Sequence, residues 1–210
     1  MNPAGRRTSA AGVAGPVDII IPVYSGLTEV KACLDSVLSS SSAAQGEVIV
    51  VNDCSPEPAI DDFLRGLALE SRITLLENDD NLGFVKSCNR AAALRPENDF
   101  ILLNSDTEVN GSWLDRLVAH ATRFSDVASI TPFSNNATIA SYPRGGARRN
   151  SADDIPVAAI DDAMSAVNAG ESVSLPTAVG FCMWVSRNAW QQAGGFDERY
   201  GRGYGEEVEF

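Results

Sequence analysis

The residues best suited to chemistry in this chain are carboxylates and amides that follow apolar runs. Asp106 lies in the segment Leu-Leu-Asn-Ser-Asp-Thr at 102–107, just past the run Phe-Ile-Leu-Leu at 100–103. A carboxylate at the end of a buried strand meets solvent or ligand, where it can hold a divalent cation and, through it, a diphosphate. Asn104 stands two residues earlier, and alternation along an extended segment would place both side chains on one side. The plainer role for Asp106 is to cap the following helix. Asp53 ends Val-Ile-Val-Val-Asn-Asp at 48–53. As an acceptor-only group it suits the imide N–H of uracil or thymine, or a ribose hydroxyl. A turn or cap ahead of Ser55-Pro56 would use it equally well.

Tyr24 closes Asp-Ile-Ile-Ile-Pro-Val-Tyr at 18–24 and either stacks on a base or half-covers a sheet edge. The Pro22-Val23-Tyr24 turn replaces the glycine-rich turn of dinucleotide-binding folds, which argues against a pyrophosphate resting on that helix N-terminus. Asn-Asp-Asp-Asn-Leu-Gly-Phe at 78–84 offers a polar turn with Asn81 and with Gly83 at a close-approach position, and Asn89 follows on the next helix. Glu206 and Glu207 follow Gly-Tyr-Gly at 203–205; they include a candidate general base, or form a solvated acidic run. His120 is the one histidine, so catalytic triads and multi-histidine metal sites have almost nothing to draw on.

These residues need a scaffold that gathers them. A continuous apolar, β-branched run predicts a strand buried on both faces at 19–23; a second buried strand follows at 48–51, and further strands at 73–76, 100–103 and 127–131. Apolar residues at helical spacing predict helices over 28–39, 60–69, 85–94 and 113–124. Short strands alternating with helices imply an α/β fold with a mostly parallel central sheet flanked by helices. Ligands of such sheets sit at the carboxyl ends of the strands, where Tyr24, Asp53, 78–81 and Asp106 all fall. From 134 to 174 the periodicity weakens into a long loop with one helix at 160–169. A strand over 178–186 and a short helix over 189–193, ended by Gly194-Gly195, follow.

Bulk properties narrow the classes. The 210 residues suffice for one substantial domain, and 44% hydrophobic with 21% charged residues is an ordinary globular balance. A net charge of −12 argues against nucleic-acid partners and against a polybasic grip on anionic membranes. No apolar run approaches the ~20 residues of a transmembrane span. Residues 1–15 read as a disordered leader without a secretory apolar region. The scattered cysteines Cys33, Cys54, Cys88 and Cys182 read as buried free thiols, consistent with a cytoplasmic location.

Taken together, these islands resemble family 2 glycosyltransferases with the GT-A fold. Val-Asp-Ile-Ile-Ile-Pro-Val-Tyr at 17–24 resembles the family's opening strand, and Val-Ile-Val-Val-Asn-Asp-Cys-Ser at 48–55 its nucleotide-binding second strand. Asn-Leu-Gly-Phe-Val-Lys-Ser-Cys-Asn at 81–89 resembles its Asn-Xaa-Gly segment, and 102–107 its metal-binding Asp-Xaa-Asp. Residues 194–210, opening Gly-Gly-Phe-Asp-Glu and closing Glu-Glu-Val-Glu-Phe, resemble its catalytic region. The likeness spans roughly residues 17–210, and the order and spacing of the islands carry it.

The resemblance implies an inverting transfer from a nucleoside-diphosphate sugar, of UDP or dTDP type, to a glycan or lipid-linked acceptor hydroxyl. Pro22, Tyr24 and Asp53 would hold the nucleoside, with Asn81, Gly83, Asn89, Asn104 and Ser105 also along the donor site. Asp106 would coordinate Mg²⁺ or Mn²⁺, Glu207 would act as base, and Glu206 would orient it or meet the acceptor. Two positions depart from the pattern: Asn104 stands where Asp is usual, and Glu207 is one methylene longer than the usual Asp. Family members continue past this region, so 16–210 is expected to be a GT-A domain lacking its C-terminal acceptor-side elements. Two alternatives stay open, a non-catalytic nucleotide-sugar-binding module and, with less support, a nucleotidyltransferase.

Overall fold

The computed structural model describes residues 15–124, 126–135, 137–141, 156–175 and 177–201. The expected leader (apart from Gly15), much of the long loop, and both Glu206 and Glu207 lie outside the described residues. Strands β1 (Val17–Val23), β2 (Gln45–Asn52), β3 (Thr74–Glu77) and β4 (Asp99–Leu103) alternate with helices α1 (Leu27–Ser39), α2 (Pro58–Leu69) and α3 (Phe84–Ala92). Helix α4 (Trp113–Arg123), β5 (Ser129–Ile130), α5 (Val157–Asn168), β6 (Cys182–Val185) and α6 (Arg187–Ala193) complete the described elements, with short 3-10 turns at 138–140 and 198–200.

The six strands form one sheet in the order β3-β2-β1-β4-β6-β5. Strands β3, β2, β1 and β4 run parallel, and β6 is antiparallel to both β4 and β5. The α/β expectation holds, with an antiparallel edge added to the parallel core. Strand alternation divides the core between the two faces. Ile19, Ile21 and Val23 pack with the buried faces of α1, α2 and α4. Ile20, Ile49, Val51, Phe100 and Leu102 pack on the other side with α3 and with Trp190 of α6.

The last two strands are shorter than their apolar runs predict. At 178–186 only Cys182–Val185 joins the sheet, and at 127–131 only Ser129 and Ile130 pair with it. The Thr131 hydroxyl accepts from Val179 N at 3.1 Å, so a side chain stands where the ladder would continue. The helix expected at 160–169 is α5, which begins three residues earlier and buries none of its residues. Arg116 of α4 ties it down through Asp161 at 2.6 Å.

Asp18 and Arg187 secure the amino-terminal end of the sheet. Asp18 is buried, accepting from Glu47 N and Asn98 Nδ2 at 2.9 Å each, and pairs with Arg95 at 3.1 Å. Arg187 donates to the carbonyls of Ala92, Arg95 and Asn98 and lies over the Phe100 ring at 5.3 Å. A planar fork of donors is the group that can satisfy the orphan carbonyls after a helix end in this way.

Candidate functional site

Strand β1 leads to β2 on one side, while β4 lies on its other side, so the strand order reverses between β1 and β4. Ligands of open α/β sheets bind outside the carboxyl ends of the strands at such a reversal. Tyr24 follows β1 and Asn104 follows β4, one on each side of the switch point. Asp53 N donates to Val23 O at 2.8 Å and Asn78 N to Asn52 O at 2.9 Å, so the ends of β1, β2 and β3 are level. Asp53 and Asn104 are two strand spacings apart, on the order of 10 Å.

Asp53 is buried, and its carboxylate organises the loop after β3. Oδ1 accepts from Asn78 Nδ2 at 2.7 Å and Leu82 N at 2.8 Å, and Oδ2 accepts from Gly83 N at 2.8 Å. Three donors on a carboxylate leave one in-plane lone pair, on Oδ2, for anything else. Asn78 is itself buried and also donates to Ser87 Oγ at 3.0 Å while accepting from Arg90. Gly83 sits at φ 83° and ψ 171°, a backbone conformation favouring glycine, and opens α3. Asn81, partly exposed, lies on the loop that this network holds.

The turn closer considered for Asp53 is instead Asn52, whose Oδ1 accepts from Ser55 N at 3.0 Å. That turn lifts Cys54 to its apex at φ 55°, where it is exposed. This corrects the expectation of four buried thiols; Cys33, Cys88 and Cys182 are buried as expected, and all four are free. Burial pushes the Cys33 and Cys182 thiols up to about 12 each.

The N-terminus of α1 is already served by a carboxylate of the protein, Glu57, whose Oε1 accepts from Gly26 N at 2.8 Å. This agrees with the absence of a glycine-rich pyrophosphate turn there. Pro22 is half-buried at the end of β1, and Tyr24, 46% exposed, stands free enough of the core to face a ligand.

At the end of β4 the chain does not stay extended. Thr107 N donates to Asn104 O at 3.1 Å, so 104–107 is a tight turn and the alternation argument for Asn104 and Asp106 fails. The turn is anchored by Asn104 N to Phe181 O at 2.8 Å and by Cys33 Sγ to Asn104 O at 3.6 Å. Helix α4 begins at Trp113 with Ser112 at its cap, so Asp106 caps nothing. Asp106 is exposed, without a hydrogen-bond partner among the described residues, and Ser105 and Asn104 beside it are partly exposed. Among the described residues no group of three His, Cys, Asp or Glu gathers to cage a metal. A lone uncommitted carboxylate fits Mg²⁺ or Mn²⁺ in the mode where substrate phosphates and waters supply most ligands.

The Asn89 side chain is bonded to the backbone of a segment distant in sequence. Its Nδ2 donates to Phe196 O at 2.9 Å and its Oδ1 accepts from Phe196 N at 3.0 Å. The sequence marks 78–81 as strand-end residues and 194–198 as a motif, but not Glu57, nor the pairing of Asp53 with Asn78 and of Asn89 with Phe196, which only three-dimensional contact reveals. A separate cleft of about 430 Å³ lies between the end of α1 and residues 109–112, and none of the strand-end residues named above lines it.

Residues 18–192 match the sequence model of glycosyl transferase family 2, and the chain belongs to that family. It is similar to an uncharacterized glycosyltransferase of Haemophilus influenzae, 22% identical over 114 residues that cover 54% of this chain and 35% of the relative. Among solved structures it is similar to GalNAc-T7 with UDP, GalNAc and Mn²⁺ (TM-score 0.65, 13% identity, covering 92% of this chain and 39% of that one). It is similar also to the mannosyltransferase PcManGT of Pyrobaculum calidifontis with GDP-Man and Mn²⁺ (0.61, 17%, covering 94% and 51%). A third is S. aureus TarS 1-349 in complex with UDP (0.60, 14%, covering 92% and 53%). At these identities the structural likeness establishes the GT-A fold alone. The chain spans roughly a third to a half of the lengths of these proteins. Among the described residues no helix is long and apolar enough to cross a membrane.

Proposed function

We propose that this chain is the GT-A domain, residues 16–210, of an inverting glycosyltransferase that moves a sugar from a nucleoside diphosphate to an acceptor hydroxyl. The observation that carries this reading is the edge at the β1–β4 switch point. Tyr24, Asp53 and Asp106 follow the carboxyl ends of β1, β2 and β4 there, and Asp53 holds the loop ahead of α3. Family membership and structural relatives crystallised with UDP or GDP-Man support it.

In this reading Tyr24 stacks on the base beside Pro22. Asp53 offers its remaining lone pair to an imide N–H or a ribose hydroxyl, which favours UDP or dTDP donors. Asn81, Gly83, Asn104 and Ser105 line the rest of the donor site. Asp106 holds Mg²⁺ or Mn²⁺, which when bound would offset charge on the diphosphate. Glu207 takes the proton of the acceptor hydroxyl as its oxygen attacks the anomeric carbon, and Glu206 orients that base or meets the acceptor. The bond to the diphosphate breaks on the opposite face, and its electron pair leaves with the nucleotide. The acceptor is a glycan or a lipid-linked acceptor, reached from the cytoplasm.

The test is a panel of nucleotide sugars assayed for transfer and for donor hydrolysis, with Glu207→Gln in parallel. The variant is expected to lose transfer while retaining donor affinity within about twofold of the wild-type chain. Loss of donor binding in Glu207→Gln, or wild-type turnover by it, would overturn the base assignment. Donor binding without hydrolysis or transfer by the wild-type chain would favour a non-catalytic module.

A further inference from the structure

The side chain of Asn89 is built into a cyclic pair of hydrogen bonds with one peptide unit on each side of Phe196. One amide hydrogen goes to Phe196 O at 2.9 Å, and the amide oxygen accepts Phe196 N–H at 3.0 Å. The partners are 107 positions apart in sequence, so this bridge joins two distant regions of the chain. Asparagine alone among residues of this size donates and accepts in this arrangement; an ionised aspartate only accepts, and an aliphatic side chain does neither.

The backbone is shaped to admit the bridge. Gly195 lies at φ +86°, and a Cβ there would come within 3.1 Å of Asn89 Oδ1 and 3.4 Å of Trp190 Cζ2. Gly194 ends α6 in the left-handed region at φ 83°. Phe196 is buried and meets Trp190 edge-on at 5.0 Å, and Trp190 meets Phe100 of β4 edge-on at 5.0 Å. These aromatic contacts supply the burial of the turn. The amide pair fixes what burial leaves free, the direction in which the backbone leaves Phe196. Asp197 then caps the 3-10 turn at 198–200 by accepting from Arg199 N at 2.8 Å.

Helix α3 is therefore gripped at two points. Its opening residue, Gly83, is held by Asp53 at the strand-end edge, and Asn89, two turns on, holds the backbone that leads toward residues 206 and 207. We propose that Asn89 is a positioning residue, which fixes the 194–201 segment, from which the chain runs on to Glu207, against α3 and so relative to the donor edge. This rests on the reading of Glu207 as base. It gives Asn89 a role through the backbone, distinct from the donor contact that the family resemblance implies.

Asn89→Ala and Asn89→Asp test this with three readouts on the full chain: UDP affinity in Mn²⁺ by calorimetry, transfer turnover, and the native-state rate of trypsin cleavage after the exposed Arg199. A misplacement of about 1 Å at a reacting group costs on the order of 10²-fold in rate. The expected result for Asn89→Ala is that fall in kcat, with UDP affinity within about twofold and faster cleavage after Arg199. Asn89→Asp, which retains only the bond from Phe196 N–H, is expected to be cleaved at an intermediate rate. Should Asn89→Ala fail to fold, Asn89→Asp and Gly195→Ala, whose new Cβ presses on the bridge, give the same readings. UDP affinity falling in step with kcat would make Asn89 a donor contact and overturn the proposal. Unchanged cleavage after Arg199 in every folded variant would overturn it as well. The cleavage readout needs no turnover, so it still reports on Asn89 should Glu207→Gln show that the base lies elsewhere.

Discussion

Replacing Asp53 separates its two possible duties, since the structure shows it holding a loop and the proposal has it meeting a nucleoside. The carboxylate accepts three hydrogen bonds, from Asn78 Nδ2, Leu82 N and Gly83 N, all between 2.7 and 2.8 Å. Hydrogen bonds to a charged acceptor contribute about 1.5–3 kcal/mol each, and a buried donor left unpaired costs about 1–3 kcal/mol. Asn78 and Gly83 are buried and would be stranded in Asp53→Ala, while Leu82, 37% exposed, regains water more easily. The expected destabilisation of Asp53→Ala is therefore about 3–5 kcal/mol, a large share of the ~5–15 kcal/mol that holds a domain together. Asp53→Asn keeps one acceptor oxygen and turns an NH₂ toward the other donors, for a loss of about 2 kcal/mol. Urea unfolding followed by tryptophan fluorescence measures both, and hydrogen exchange at the Leu82 and Gly83 amides locates the loss. Should Asp53→Ala lose less than about 1 kcal/mol and leave those amides protected, the loop-holding account fails. If UDP binding vanished in that same variant, Asp53 would be a nucleoside ligand first.

Other expectations follow from burial and charge. At pH 8 one thiol per native chain, Cys54, should react with a disulfide reagent, and four should react in denaturant; fast reaction of a second native thiol would contradict the burial of the other three. Cys33 and Cys182, at about 12 when folded against 9.0 as the ordinary value, bind their protons more tightly in the folded state. Their contribution is thus full below pH 9.0 and lost as pH rises toward 12, so unfolding in urea should become easier across that window, and a flat profile would refute it. Arg187→Ala strands three carbonyls beside β4 and should cost about 3 kcal/mol in urea unfolding, with Arg187→Lys recovering little of it; a loss under 1 kcal/mol would refute the role given to the fork.

Much of the scaffold was legible because it rests on local pattern. The runs at 19–23, 48–51 and 100–103 are apolar at every position but Pro22, as strands covered on both faces must be, and they are the buried middle strands of the sheet. The alternation of strands and helices put Tyr24, Asp53 and Asp106 at carboxyl ends of strands, while the strand order, and with it the switch point, came only from the structure. What pattern could not supply was pairing between distant side chains. Asp53 reads as a free ligand in sequence, whereas its donors lie 25 to 30 positions away. Asn104 and Asp106 invite an alternation argument, but the carbonyl of Asn104 closes a turn with Thr107 and the chain leaves the strand. The apolar run at 178–186 overstated β6 because the Thr131 hydroxyl, 48 positions away, binds the Val179 backbone. Cys54 is apolar by composition yet exposed, because Asn52 closes the turn beneath it.

The central claim is a metal-assisted nucleotide site at the ends of β1, β2 and β4, and calorimetry of UDP with and without Mn²⁺ tests it most directly. Asp106 is exposed and without a hydrogen-bond partner among the described residues, so Asp106→Ala should leave the unfolding midpoint unchanged. The account predicts UDP binding that strengthens at least tenfold, about 1.4 kcal/mol, on adding Mn²⁺ to the wild-type chain, with the gain lost in Asp106→Ala. UDP binding of equal strength with and without Mn²⁺, or the same Mn²⁺ gain in Asp106→Ala as in the wild-type chain, would contradict it.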